Sequence, residues 1–321
     1  MSLLKRIKAI YRINNFLNRD KLKCNEDIYK KFGIKKSTDE LISSKNFSKA
    51  QEADQPWLDK PEYKKELSNK LAASSFTEKE KEQIARFPEE GYMILQNAFT
   101  AGEVDTILSE IENLKTSGKA KQRDDERIIF AIHNSEKIYE LATKKSIVNI
   151  LDFVLGKKVK LFQSLNFEHG SAQRAHSDTI HMTTYPLGYL VAVWVALEDI
   201  HPDSGPLFYY PGSHKLPYVL NSDYLHGGNY FMLGANAYQK YEDAIQQIIE
   251  TNKLKKEVFC PKKGDAFIWH ANILHGGSPI NNSNLTRKSM VLHFYAEDVI
   301  CYHEITQRPA IFNGKEAHCP S

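Results

Sequence analysis

The feature that most constrains this chain is a change of pattern near Lys158. From there the sequence breaks into short runs, VKLFQSLNFE, HSDTIHM, YLVAVWVALED, GPLFYY, DAFIWH and KSMVLHFYAE, all rich in β-branched and aromatic residues. Gly170, Gly188, Gly205, Gly212, Gly264 and Gly276-Gly277 punctuate them as turns. Upstream the signals are mostly helical. Thr77-x-x-Glu80 is a capping box opening a helix that Pro88 is expected to stop. GYMILQNAF (91–99) reads as a strand, and Thr100-x-x-Glu103 opens a second helix through about Leu114. Helices followed by many strands predict a mainly β, α+β fold, a barrel or sandwich with helices packed outside. Residues 215–258 interrupt the strands and read as a mostly helical, tyrosine-bearing insertion.

Residues 1–70 form a separate expectation, a basic helical extension and polar connector preceding a barrel domain at 71–321. Leu3, Leu4, Ile7, Ile10, Tyr11, Phe16 and Leu17 recur at helical spacing among Lys5, Arg6, Lys8, Arg12 and Arg19, with no acid before Asp20. Such a helix either packs on its own domain or a sister subunit, or lies on an anionic membrane surface. The stretch from Asp39 to Lys70 reads as connector.

Composition excludes several classes. A net charge of +3 is too mild for a nucleic-acid partner, and no apolar run is long enough for a transmembrane segment. Cys24, Cys260, Cys301 and Cys319 are scattered without a C-x-x-C, which suits a reducing, cytoplasmic setting and gives no zinc knuckle. The N-terminus lacks the long apolar core of a secretory signal.

Within the strand region, His176-Ser-Asp178 places a histidine and a carboxylate two residues apart. On a strand, alternate side chains share a face, so both could reach one metal ion. A second copy, His201-Pro-Asp203, lies in a turn-forming context and is expected to face solvent. Two histidines and one carboxylate would leave cis positions open on a redox-active iron. The third ligand must come from another strand, with His270, His275, His293 and His303 as candidates. Arg287 and Ser289 share a strand face by the same alternation. A buried arginine needs an anion, which a dicarboxylate ligand would provide through a bidentate contact; a structural ion pair is the other reading.

In this order, AHSDTIHM, VAVWVALEDI, SGPLFYYPGSHK and KKGDAFIWHANILHGGSPINNSNLTRKSM resemble the phytanoyl-CoA dioxygenase family of iron(II)- and 2-oxoglutarate-dependent oxygenases. The resemblance runs from about Phe87 to Tyr295; residues 1–70 match nothing in it. It implies a double-stranded β-helix (a jelly-roll, cupin-like barrel). It implies iron(II) ligands at His176, Asp178 and His275, with Arg287 and Ser289 on the far carboxylate of 2-oxoglutarate and Trp194 lining that pocket. A carboxylate at position 178 implies oxygenation, since the family's halogenase relatives carry Gly or Ala there. The implied reaction consumes dioxygen and 2-oxoglutarate, releases succinate and CO2, and hydroxylates an unactivated carbon of a small-molecule metabolite. Gln163 and Asn166 both suit the site, but opposite strand parity admits only one, and Gln163 is preferred. Arg174 either contacts an acidic substrate group or forms a rim ion pair. His181 is a further substrate-side candidate, and 215–258 a candidate lid. The rival functions are a non-enzymatic cupin-like binding protein and a zinc hydrolase or isomerase on the same ligands.

Overall fold

A computed structural model describes residues 4–47, 55–122, 127–224, 226 and 228–311. Leu3, Cys319 and part of the connector (48–54) lie outside the described residues. Four short helices open the chain: α1 (Lys8–Leu17), α2 (Arg19–Leu22), α3 (Glu26–Lys31) and α4 (Tyr63–Ala72). The last runs through the expected boundary at residue 70, and its Leu67 and Leu71 enter the main core. The other helices are α5 (Glu78–Glu90), α6 (Ala101–Thr116), α7 (Glu136–Ala142), α8 (Lys145–Leu155) and α9 (Ala237–Thr251).

Both capping boxes form. Glu80 N–H donates to Thr77 Oγ1 at 3.3 Å while Thr77 N–H donates to Glu80 at 2.7 Å, and Thr100 and Glu103 repeat the exchange. Pro88 does not stop α5. The helix runs two residues further and ends at Gly91, whose φ of 78° gives the left-handed cap. The proline sits in the last turn, which still closes through Gly91 N–H donating to Phe87 O at 2.8 Å.

The strands are β1 (Tyr92–Leu95), β2 (Lys121–Gln122), β3 (Ile128–Ile129), β4 (Val159–Phe167), β5 (Thr183–Tyr185), β6 (Leu190–Ala196), β7 (Leu207–Tyr209), β8 (Glu257–Phe259), β9 (Ala266–His270), β10 (His275–Gly277), β11 (Ser289–Ala296) and β12 (Ile300–Tyr302). Seven build one sheet in the order β1-β9-β6-β11-β4-β3-β2; β10-β7-β8 and β12-β5 form two smaller ones. All pairings are antiparallel. This is a jelly roll with α6 and α8 on the large sheet and α9 against the small one.

Side-chain alternation sorts the large sheet into two faces. Val191, Val193, Val195, Ile268, Met290, Leu292 and Phe294 point toward α6 and α8 and fuse with Ile107, Ile150, Leu151 and Val154 into the main core. Ala192, Trp194, Phe267, Trp269 and Val291 point the other way, into the barrel, with Leu207, Tyr209 and Phe259 of the small sheet. The site lies in that inner layer. Of the insertion, α9 is the one α-helix among the described residues, and the described residues of 216–236 run as turns and irregular chain. Tyr241, Ile245 and Ile249 hold α9 against Phe208, Tyr210 and Ile180.

Candidate metal centre

His176, Asp178 and His275 meet. One ligand atom from each lies within 4.8 Å of the other two, and all three residues are buried. The local structure differs from the strand expected over HSDTIHM. His176 forms an isolated antiparallel bridge with His275, each backbone N–H donating to the other's carbonyl at 2.9 Å. Asp178 begins a 3-10 turn, Asp178–Ile180, which swings its carboxylate back toward the imidazoles. Gly276 permits the approach: a Cβ there would lie 2.6 Å from Gln173 O and 2.5 Å from the Phe208 ring.

Hydrogen bonds aim both imidazoles. Nδ1 of His176 lies 2.9 Å from Arg174 O, and Nδ1 of His275 lies 3.1 Å from Ile273 O. A carbonyl only accepts, so each Nδ1 carries the proton and each Nε2 presents a lone pair toward the cluster. Burial, then the neighbouring His275, pull the His176 pKa down to about 3, so the ring is neutral. Burial pushes the Asp178 carboxyl up, but His275 and His293 outweigh it and hold the group below the usual carboxylate range. Trp269 Nε1–H donates to Asp178 Oδ2 at 2.8 Å, and His293 Nε2 lies 3.6 Å from the same oxygen. Two imidazole nitrogens and a carboxylate, each fixed from behind, fit a divalent ion with open positions.

Beside this cluster lies a cavity of about 880 Å³ that the three residues help to line. Arg287 enters it from the turn before β11. It is 3% exposed, its hydrogen bonds go to neutral oxygens (Ser289 Oγ at 3.3 Å, His169 O at 3.4 Å), and its Nε lacks a partner. Phe167 and Trp194 cover the guanidinium, their ring centres 5.0 and 5.8 Å away. Burial, then the charge of Arg127, bring its pKa down to about 10. A dry cation with an unsatisfied donor suits an anion's carboxylate.

The remaining expected residues divide. Gln163 lines the cavity with Leu165 and Phe167, whereas Asn166 faces away, buried with its amide unpaired. Regular alternation over the second half of β4 decides between them. Arg174 is not a pocket residue. No regular strand carries its parity to His176, and its guanidinium pairs on the rim with Asp243 at 3.0 Å and Glu242 at 3.4 Å of α9. His181 lines the cavity and stacks on Tyr238 of α9, with ring centroids 5.3 Å apart. His201 and Asp203 stay exposed on their turn. His270 has the outward parity and meets Asp59 of the N-terminal segment at 3.2 Å.

Residues the sequence did not single out complete the site. Trp269 grips Asp178, and Gln173 lies 3.3 Å from His176 Nε2 while donating to Tyr238 OH at 2.9 Å. Lys121, Arg127 and Arg308 line the outer cavity, where Asp178 is the carboxylate among the described lining residues. His293, one of the candidate third ligands, shares the inward parity of Ser289 but stands behind Asp178 rather than in the metal cluster.

A family model for phytanoyl-CoA dioxygenase matches residues 87–289. The chain belongs to the phytanoyl-CoA dioxygenase family. It is an iron- and 2-oxoglutarate-dependent dioxygenase. An ectoine dioxygenase from Stutzerimonas stutzeri is 27% identical over 77% of this chain and 84% of its own. Phytanoyl-CoA dioxygenase domain-containing protein 1 of Danio rerio is 23% identical over 66% and 88%. Among solved structures, EctD from S. alaskensis with 2-oxoglutarate and 5-hydroxyectoine superposes with a TM-score of 0.54 at 21% identity, covering 70% of this chain and 80% of that one. The carbocyclase SnoK from nogalamycin biosynthesis gives 0.58 at 15% identity over 76% and 95%. These likenesses establish the shared fold.

Proposed function

We propose that this family member hydroxylates an unactivated carbon of a small-molecule metabolite, with His176, Asp178 and His275 holding iron(II). The observation that carries the reading is Asp178: the third protein ligand is a carboxylate, held in place by Trp269 and His293. Iron(II), when bound, supplies the oxidative chemistry that consumes dioxygen and turns 2-oxoglutarate into succinate and CO2. The chain's own residues supply position and dryness. Arg287 and Ser289 take the far carboxylate of 2-oxoglutarate, and Trp194 and Phe167 keep water from that contact. Gln163 and His181 line the same cavity, whose volume falls in the range usual for small-molecule pockets. Helix α9, docked through Tyr241 on Ser177 at 2.9 Å, covers the site as a lid.

The test is anaerobic loading with iron(II), then oxygen and 2-oxoglutarate with a panel of small metabolites. Hydroxylation requires one succinate per product and a product heavier by one oxygen atom. Succinate coupled to a product of unchanged mass would replace hydroxylation with isomerisation. Product formed without 2-oxoglutarate consumption would overturn the assignment.

A further inference from the structure

Helix α1 is built inside out. Its polar Lys8 and Asn15 face the protein, Asn15 donating to Asp39 O at 3.0 Å. Its apolar Ile10, Ile13, Phe16 and Leu17 face water, with Ile13 and Leu17 61% and 76% exposed, and Leu4 just before the helix is exposed too. A helix that only needed to pack on its own domain would do the reverse. The arrangement is fixed by backbone contacts with the insertion. Ile7 bridges Met232, Lys8 N–H donates to Phe231 O at 2.9 Å, and Leu233 N–H donates to Arg6 O at 2.8 Å. That loop adds two more exposed rings, Tyr230 and Phe231, and Arg12 lies 4.2 Å over the Tyr230 ring. Most of the large exposed apolar side chains among the described residues therefore gather at this one place.

The patch is also cationic. Residues 1–19 carry Lys5, Arg6, Lys8, Arg12 and Arg19 and no acid. A symmetric contact between two copies would set these charges against themselves. Protruding aliphatic and aromatic side chains interleaved with arginine and lysine match the acyl-chain boundary and headgroups of an anionic bilayer. No helix among the described residues is long and apolar enough to cross a membrane. The catalytic cavity opens beside the patch, because Asn14 of the same helix lines it together with Arg308 and Ile311.

We infer that this face docks the enzyme on an anionic phospholipid surface, with the cavity mouth at headgroup level. The test is co-sedimentation of the full chain with vesicles of phosphatidylcholine alone or with phosphatidylserine added, at low and high salt. Binding should need phosphatidylserine and weaken with salt. The double variant Ile13→Glu/Leu17→Glu changes only exposed side chains outside the catalytic machinery. It should keep its melting temperature and basal 2-oxoglutarate turnover and lose about tenfold or more in vesicle partitioning. Equal binding to both vesicle types, or unchanged partitioning of the variant, overturns the inference. So does a concentration-dependent dimer in light scattering that the variant dissolves while vesicles bind neither form; the occupant would then be a second copy.

Discussion

Arg287→Met removes a buried charge whose role can be read from two opposite signs. Without an anion, the guanidinium is buried, 3% exposed, and burial brings its pKa down to about 10. That shift corresponds to about 3 kcal/mol against the charged form, at about 1.4 kcal/mol per decade of the equilibrium. Methionine fills much of the same volume without this burden, so the apoprotein should melt no lower than wild type. With 2-oxoglutarate the order reverses. Two charge-assisted hydrogen bonds at about 1.5–3 kcal/mol each are lost, which corresponds to a rise of roughly 10²–10⁴-fold in the KM for 2-oxoglutarate. The assay is succinate release against 2-oxoglutarate and against iron(II), alongside thermal shift with and without 2-oxoglutarate. The iron requirement should stay within about twofold, because Arg287 touches no member of the metal cluster. A variant that still gains melting temperature from 2-oxoglutarate, or whose iron and 2-oxoglutarate requirements rise equally, would refute the reasoning.

Asp178→Ala and His176→Ala should each abolish succinate production with the circular-dichroism spectrum unchanged; full turnover in either removes the metal assignment. Trp269→Phe keeps the ring but deletes the donor to Asp178 Oδ2, so iron affinity should fall roughly 10–100-fold, measured by anaerobic titration; no change would show the indole merely fills space. Gly276→Ala should separate the strand carrying His275 from Gln173, lowering stability by about 1–3 kcal/mol and iron binding with it, and unaltered values for both would contradict the steric argument. His214 has its pKa lowered to about 3 by burial and by His270, so below pH 6.5 the unfolded chain takes up a proton that the folded chain refuses. Stability should fall as pH drops from 6.5 toward 3, by up to about 1.4 kcal/mol per pH unit for this group; a denaturation midpoint that is flat between pH 7.5 and 5 counts against it.

Much of the site was legible because alternation is rigid where strands are regular. Ser289 and His293 on β11, and Gln163 against Asn166 on β4, were sortable by parity alone. The same rule misled where the chain leaves a strand. His176 and Asp178 do converge, but through a bridge and a 3-10 turn, and parity could not choose between the two readings of Arg174, which α9 carboxylates hold at the rim. The grip of Trp269 on Asp178 joins residues 91 positions apart, and nothing local in DAFIWH marks an indole as a hydrogen-bond donor to a distant carboxylate. The inverted face of α1 was equally hidden: periodicity reports that a helix has an apolar side, not which way tertiary contacts turn it.

The N-terminal segment also reaches behind the barrel. Asp59 meets His270, Trp57 donates its indole N–H to Phe153 O at 2.7 Å, and Tyr29, Ile42 and Phe47 pack on Tyr185, Ile300 and Tyr302. These contacts make the described residues before α5 a buttress. A chain lacking residues 1–70 would strip the aromatic flank bare and leave the strand that carries Trp269 without its brace, so it should be sticky and slow to hold iron even with every ligand present.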